Sequence, residues 1–213
     1  MTSINLRTTV PEARKQLKML KKDVGDKAMR STVNKVAAIS KTAMSKEIRK
    51  TYKLRANQVR PKLNVNKAKK SSSSNTIVAR LNPTDIKRSV NIIRFLTRAS
   101  LSTNRKRRKD GRLKELRFKI KKSGGIKQLP GAFVANKGRT VFIRDERSTA
   151  RSRRKYAGTK HGQSIRAVQT IGIPQMFNTK TVNKEVIRNA QARLPKIFAN
   201  EVRFFAQRAN RGT

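Results

Sequence analysis

Apolar positions near the start of the chain recur at helical spacing. Thr8 or Thr9 offers an N-cap ahead of Val10-Pro11-Glu12, which sets a proline and an acid in a first turn. Leu17, Leu20 and Val24 follow; beyond a soft spot at Gly25, the pattern continues through Met29, Val33, Val36, Ala37, Ile39, Ala43 and Ile48. One long helix or two are expected, ending near Tyr52. An unbroken helix would run about 65 Å at 1.5 Å per residue. That is longer than a small domain is wide, so packing against neighbouring subunits is expected. At the other end, Val182, Val186, Ala190, Leu194, Phe198, Val202 and Phe205 line one stripe of a helix from about Thr181 to Ala209. Thr179 or Thr181 is its expected cap, Glu185 lies in its positive first turn, and Pro195 should bend it.

Between these segments the periodicity shortens. Pro61 is expected to stop a short helix over Arg55 to Arg60, with Leu54, Val59 and Leu63 as its apolar edge. Lys69-Lys70-Ser71-Ser72-Ser73-Ser74-Asn75 reads as a hairpin tip or linker. Thr76 to Leu81 reads as a strand ended by Asn82-Pro83-Thr84-Asp85, and Ser89 to Phe95 as another. Leu116, Phe118 and Ile120 alternate with Arg117, Lys119 and Lys121, a strand with one apolar and one cationic face. Gly124-Gly125 breaks the chain before a strand over Leu129 to Ala135, and Asn136-Lys137-Gly138 turns it into Thr140 to Arg144. The chain tightens again at Val168, Ile171, Ile173 and Pro174. The fold class expected is α+β: long N-terminal and C-terminal helices packed on a small antiparallel β-sheet, with extended basic loops.

Charge changes the picture most. The chain has 55 Lys and Arg against 11 Asp and Glu, a formal charge of +44 on 213 residues. A compact body with this excess repels itself unless a partner neutralises it, so a polyanion is implied; nucleic acid comes first and an anionic membrane second. With no cysteine there is no disulfide framework and no thiolate site, which fits intracellular assembly. The opening residues lack a signal-peptide pattern and no stretch approaches a membrane span, so a soluble, cytosol-made protein is expected.

The inventory for catalysis is poor. The single histidine, His161, sits in a Gly-flanked basic stretch and reads as a solvated side chain. Asp145-Glu146, the only adjacent acidic pair, has no third carboxylate at useful spacing and reads as a local ion pair with Arg144 or Arg147. Gly124, Gly125 and Gly131 form no phosphate-binding fingerprint and read as turns. No catalytic residue, cofactor or metal site is expected. Phosphate contact is assigned to two runs of cations. The first is Arg105, Lys106, Arg107, Arg108, Lys109, Arg112, Lys114, Arg117, Lys119, Lys121 and Lys122; the second is Arg151, Arg153, Arg154, Lys155 and Lys160. Arg105 to Lys109 and Glu146 to Gln163 are expected to be mobile loops. Zinc-finger spacing, a zipper heptad and an aromatic platform are all missing, so contact without base preference is expected.

Three pieces carry a resemblance: Val33-Asn34-Lys35-Val36-Ala37 followed by Leu54-Arg55-Ala56 and the turn from Val59 to Leu63; Leu129-Pro130-Gly131-Ala132-Phe133-Val134; and Ile173-Pro174-Gln175-Met176 leading to Leu194-Pro195. With matching order and length, they make the chain resemble the minor tail protein Z family of lambda-like phages, the tail-completion proteins. The resemblance implies a structural, non-catalytic component at the head-proximal end of the tail, assembled in the host cytoplasm and carried in the virion. It implies tail terminator and tail-tube or neck proteins as partners, viral double-stranded DNA at head-tail joining, and rings commonly of six. On that reading residues 1–213 form one tail-completion domain, with a helical part (1–62), a β-rich part with basic loops (63–178) and a C-terminal helix (179–213). The competing reading is a sequence-independent nucleic-acid binder of ribosomal or chromatin type, which accounts for the charge but not for two long amphipathic helices flanking a hairpin-rich middle. A membrane-active protein would need a large exposed apolar helix face.

Overall fold

A computed structural model describes residues 22–70, 76–84, 89–97, 100, 115–144 and 165–211. The capping site at Thr8 or Thr9, Leu17, Leu20, Ser71 to Asn75, His161 and Asp145-Glu146 lie outside the described residues. The fold is mixed α+β, with long N-terminal and C-terminal helices and small antiparallel sheets. It divides into two compact units: Met1–Arg49, Arg55–Ile86 and Ile173–Thr213 form one, Lys50–Leu54 and Lys87–Gly172 the other.

Helix α1 (Lys22–Thr51) runs straight through Gly25, which is buried within it, so the expected soft spot does not interrupt the helix. Tertiary burial outweighs the roughly 1 kcal/mol helix penalty of one glycine. Its buried row is Val24, Ala28, Thr32, Val36, Ser40, Met44 and Ile48, a strict four-residue interval. Met29, Val33, Ile39 and Ala43, expected on the core stripe, are only half-buried. Four residues exceed one turn by about 40°, so over six intervals the row winds about 240° around the helix. Val36 packs against Ala190, Leu194 and Ile197 of the C-terminal helix, within the first unit.

Two short helices, α2 (Ala56–Val59) and α3 (Ile173–Phe177), and the C-terminal helix α4 (Lys180–Asn210) complete the helical set. Pro61 does not end the first abruptly: α2 passes into a 3-10 turn over Arg60–Lys62 that has the proline in its opening positions, where a missing N–H costs nothing. In α4, Val182, Val186, Ala190, Leu194 and Phe198 are buried and the helix is continuous through Pro195. Both long helices thus present four-residue ridges, the set that interdigitates in the commonest helix-pair class.

Three details differ from expectation. Thr179 holds the N-cap position, but its hydroxyl donates back to the Gln175 carbonyl (3.3 Å) instead of capping. Glu185 lies beyond the first turn of a helix that begins at Lys180. The last buried position is Glu201, while Val202 and Phe205 are half-buried.

Glu201 is the one carboxylate buried in this helix, and α1 meets it. Lys35 Nζ donates to Oε1 at 2.5 Å and Ser31 Oγ donates to Oε2 at 2.5 Å. Burial pushes the carboxyl up, but the hydrogen bonds from Lys35 and Ser31 and the Lys35 charge pull it further down, leaving it below the ordinary carboxylate range.

Strands β1 (Leu63–Lys70) and β2 (Ile77–Pro83) form a two-stranded antiparallel hairpin in the same unit. The strand expected at Thr76 to Leu81 is present, but β1 was not expected. The reason is a bulge: Asn66 pairs with Arg80, and the next pair is Lys69 with Val78. One strand advances three residues while the other advances two, so simple alternation in β1 is lost. The extra backbone N–H at the bulge, that of Ala68, donates to Asn34 Oδ1 of α1 at 2.7 Å. Leu63, Ala68 and Leu81 are buried.

The second unit is built from short strands. β3 (Val90–Asn91) pairs with β9 (Gln169–Thr170), and β4 (Leu116–Phe118) with β5 (Lys127–Leu129). β6 (Ala132–Ala135), β7 (Thr140–Arg144) and β8 (Ile165–Ala167) form a three-stranded sheet in that order. The strand expected over Ser89 to Phe95 is only β3; Asn91 then caps a 3-10 turn, Ile92–Phe95, by accepting from Ile93 N at 3.0 Å. That cap gives the backbone a local alternative to a ladder. The strand expected over Leu129 to Ala135 is two strands, split where Pro130-Gly131 turns with Gly131 at φ +69. The expected hairpin is β6–β7, and its turn holds Asn136, Lys137 and Gly138 at φ 53, 52 and 80. Phe133 and Phe142, a cross-strand pair, stack at 6.1 Å. Leu96, Leu116, Phe118, Ala132 and Val141 form the buried cluster.

Candidate nucleic-acid interface

The described part of the predicted cationic run is strand β4 and the residues after it. Leu116 and Phe118 point into the cluster with Leu96 and Val141, while Arg117 between them is exposed. The alternation read from the sequence holds over Leu116 to Phe118; beyond the strand Lys119 and Ile120 are both half-buried. The backbone is held from two sides. On one, Leu116, Arg117 and Phe118 register with Leu129, Gln128 and Lys127 of β5. On the other, Thr97 N donates to Arg117 O (3.0 Å), Lys119 N donates to Phe95 O (2.9 Å), and the buried Ser100 hydroxyl accepts from Arg117 N at 2.8 Å.

Residues 51–54 extend this arrangement. Lys53 N donates to Ile120 O and Lys122 N to Thr51 O, both at 2.9 Å, and Tyr52 bridges to Lys121. Four backbone–backbone bonds, the Ser100 contact and the pairing with β5 thus fix an extended segment from Leu116 to Lys122. Arg117, Lys121 and Lys122 are exposed on it and Lys119 is half-buried. Alternate side chains of such a segment share a face and recur every ~6.7 Å, so Arg117, Lys119 and Lys121 form a row on a pinned support, and Lys122 lies off it at the bend that follows. Lys127 and Gln128 of β5, both exposed, lie across from Phe118 and Arg117 and were missed, because a three-residue strand between Gly124-Gly125 and Pro130-Gly131 has no period to read. Arg105, Lys106, Arg107, Arg108, Lys109, Arg112 and Lys114, with Arg151, Arg153, Arg154, Lys155 and Lys160, lie outside the described residues.

Among the described residues no group of three His, Cys, Asp or Glu side chains is placed to hold a metal, and no helix is long and apolar enough to cross a membrane. The family model for prophage minor tail protein Z matches residues 9–208. The chain belongs to that family. It is a structural minor tail protein of a bacteriophage, and the tail places it in the virion. No curated protein and no solved structure matches the chain.

Proposed function

We propose that this minor tail protein is a non-enzymatic tail-completion component: it assembles as a ring at the head-proximal end of the tail, beside the terminator and tube or neck proteins, and holds viral double-stranded DNA without base preference during head-tail joining. In this reading residues 1–213 act as one tail-completion domain, and the Arg105–Lys122 and Arg151–Lys160 runs meet the phosphates. The observation that carries the DNA contact is the cationic row Arg117, Lys119 and Lys121 on a backbone fixed by β5, Thr97, Ser100 and residues 51–53. A backbone already held loses little further freedom on meeting a regular phosphate array. The family match supports the tail; the formal charge of +44 supports the polyanion.

Two measurements test it. Cryo-electron microscopy of intact particles should show several copies in a closed ring at the head end of the tube; single peripheral copies or a distal position would overturn the placement. Titration of a random-sequence duplex should show affinity falling about 10³- to 10⁵-fold between about 50 and 200 mM salt if 6–10 phosphates are contacted. A flat response would remove DNA from the reading.

A further inference from the structure

The β1–β2 hairpin lies outside both predicted cationic runs. From Glu47 to Asp85 the chain has no acidic residue between those two, while Lys and Arg recur throughout. The fold turns that composition into a face. On β2, Val78 and Arg80 are exposed, as is Thr76 just before the strand, and they alternate with half-buried Ile77 and Ala79 and buried Leu81. On β1, Asn64 and Asn66 are exposed and pair with Asn82 and Arg80. The bulge then adds one residue, which buries Ala68 and brings Lys69 opposite exposed Val78, on the face already occupied by Asn66 and Arg80. Lys67, at the bulge itself, is also exposed.

We infer that this hairpin is a second DNA-binding element, an arm that grips the sugar-phosphate backbone of duplex DNA through Lys67, Lys69 and Arg80 with Asn64 and Asn66 as neutral donors. The inference rests on the DNA-contact reading and extends it to a different part of the chain. Four points select the ligand. The face offers the ammonium, guanidinium and amide groups that make phosphate contacts. It has no carboxylate to repel a polyanion. It has no aromatic side chain, which removes base stacking and with it a single-strand platform. Val78, at 38% exposure, is its only large apolar group, too little for the apolar centre of a protein interface. A two-stranded ribbon also has a cross-section that the major groove admits. The Asn34–Ala68 hydrogen bond ties the bulge to α1 and so holds the face in one attitude.

The test uses the full-length protein, a random-sequence duplex and a NaCl series. The triple variant K67Q/K69Q/R80Q is compared with wild type, with the charge-keeping K67R/K69R/R80K, and with a variant in which Arg105 to Lys109 are replaced by Gln. All three arm positions are exposed, and matching circular dichroism and melting curves verify the fold. The triple variant should lower the slope of log affinity against log salt by about 2.7, or 0.9 for each lost contact, equally on unrelated sequences. The Arg/Lys exchange should keep the slope. Wild-type binding with an unchanged slope in the triple variant overturns the arm and leaves the loops standing, as does an arm variant that loses only its docking to tail proteins. A slope lowered by the arm variant but not by the loop variant upholds the arm and overturns the loops. Wild type that binds no DNA overturns both.

Discussion

Lys35 and Glu201 make an unequal pair: the lysine side chain is 57% exposed and the glutamate side chain 8%. Removing either partner has different consequences. In Glu201→Gln the lysine turns to water and the amide still accepts from Ser31, so a cost of about 1 kcal/mol is expected. Lys35→Met leaves a buried carboxylate without its counter-charge. A fully buried pair broken this way costs 3–5 kcal/mol, and solvent screening at the exposed lysine reduces that to about 2 kcal/mol. Urea midpoints of the two variants should rank K35M below E201Q. The pH dependence has a definite sign: because hydrogen bonds and the Lys35 charge hold the folded carboxyl below its unfolded value, its contribution is complete above the ordinary carboxylate range, near pH 4, and is lost as pH falls through the depressed folded value. Wild-type urea stability should therefore drop on acidification through that window, and E201Q should flatten the drop. Gly138 is the other sensitive single position. At φ +80 it has open space for a methyl group but a backbone state that L-residues avoid, so Gly138→Ala should cost about 1–2 kcal/mol by thermal or urea unfolding.

At the level of elements, the hairpin depends on a contact remote in sequence. Asn34→Ala removes the acceptor for the Ala68 N–H, and an orphaned, part-buried donor costs about 1–2 kcal/mol. Hydrogen exchange should show the Ala68 amide losing protection in this variant, with the Thr140–Arg144 amides of the second unit unchanged. The same contact explains what sequence could and could not reveal. Both long helices, the β6–β7 turn and the two faces of β4 were legible because each carries its own period or turn chemistry. β1 was not, since its alternation is broken by a bulge that only a partner strand and Asn34 make sensible. β5, β8 and β9 are too short for a period, and the sequence signal of Val90 to Phe95 is shared by a strand and a 3-10 turn. Glu201 was hidden for another reason. A lone acid on an apolar stripe looks like its solvent edge, and its partners Ser31 and Lys35 lie 170 and 166 residues away. Of the candidate interface, the alternation from Leu116 was readable; the Ser100 and Tyr52 supports were not.

Across the whole molecule the dominant quantity is the charge of +44. Self-repulsion opposes compaction, and added salt shortens its range from about 30 Å at 0.01 M to about 8 Å at 0.15 M. The melting midpoint should therefore rise between those two salt concentrations, and a short duplex should raise it further at the lower one; a midpoint that falls with salt would contradict a fold limited by its own charge. The bulge between Asn66 and Lys69 has a consequence for descent as well as for shape. It absorbs one odd residue: without Lys67 the ladder would run regularly with Ala68 inward and Lys69 still opposite Val78, whereas losing both Lys67 and Ala68 would turn Lys69 to the inner side. Related phages should accordingly include forms of this segment shorter by one residue, and among deletions selected for infectious particles the loss of Lys67 alone should survive better than the loss of Lys67 and Ala68 together.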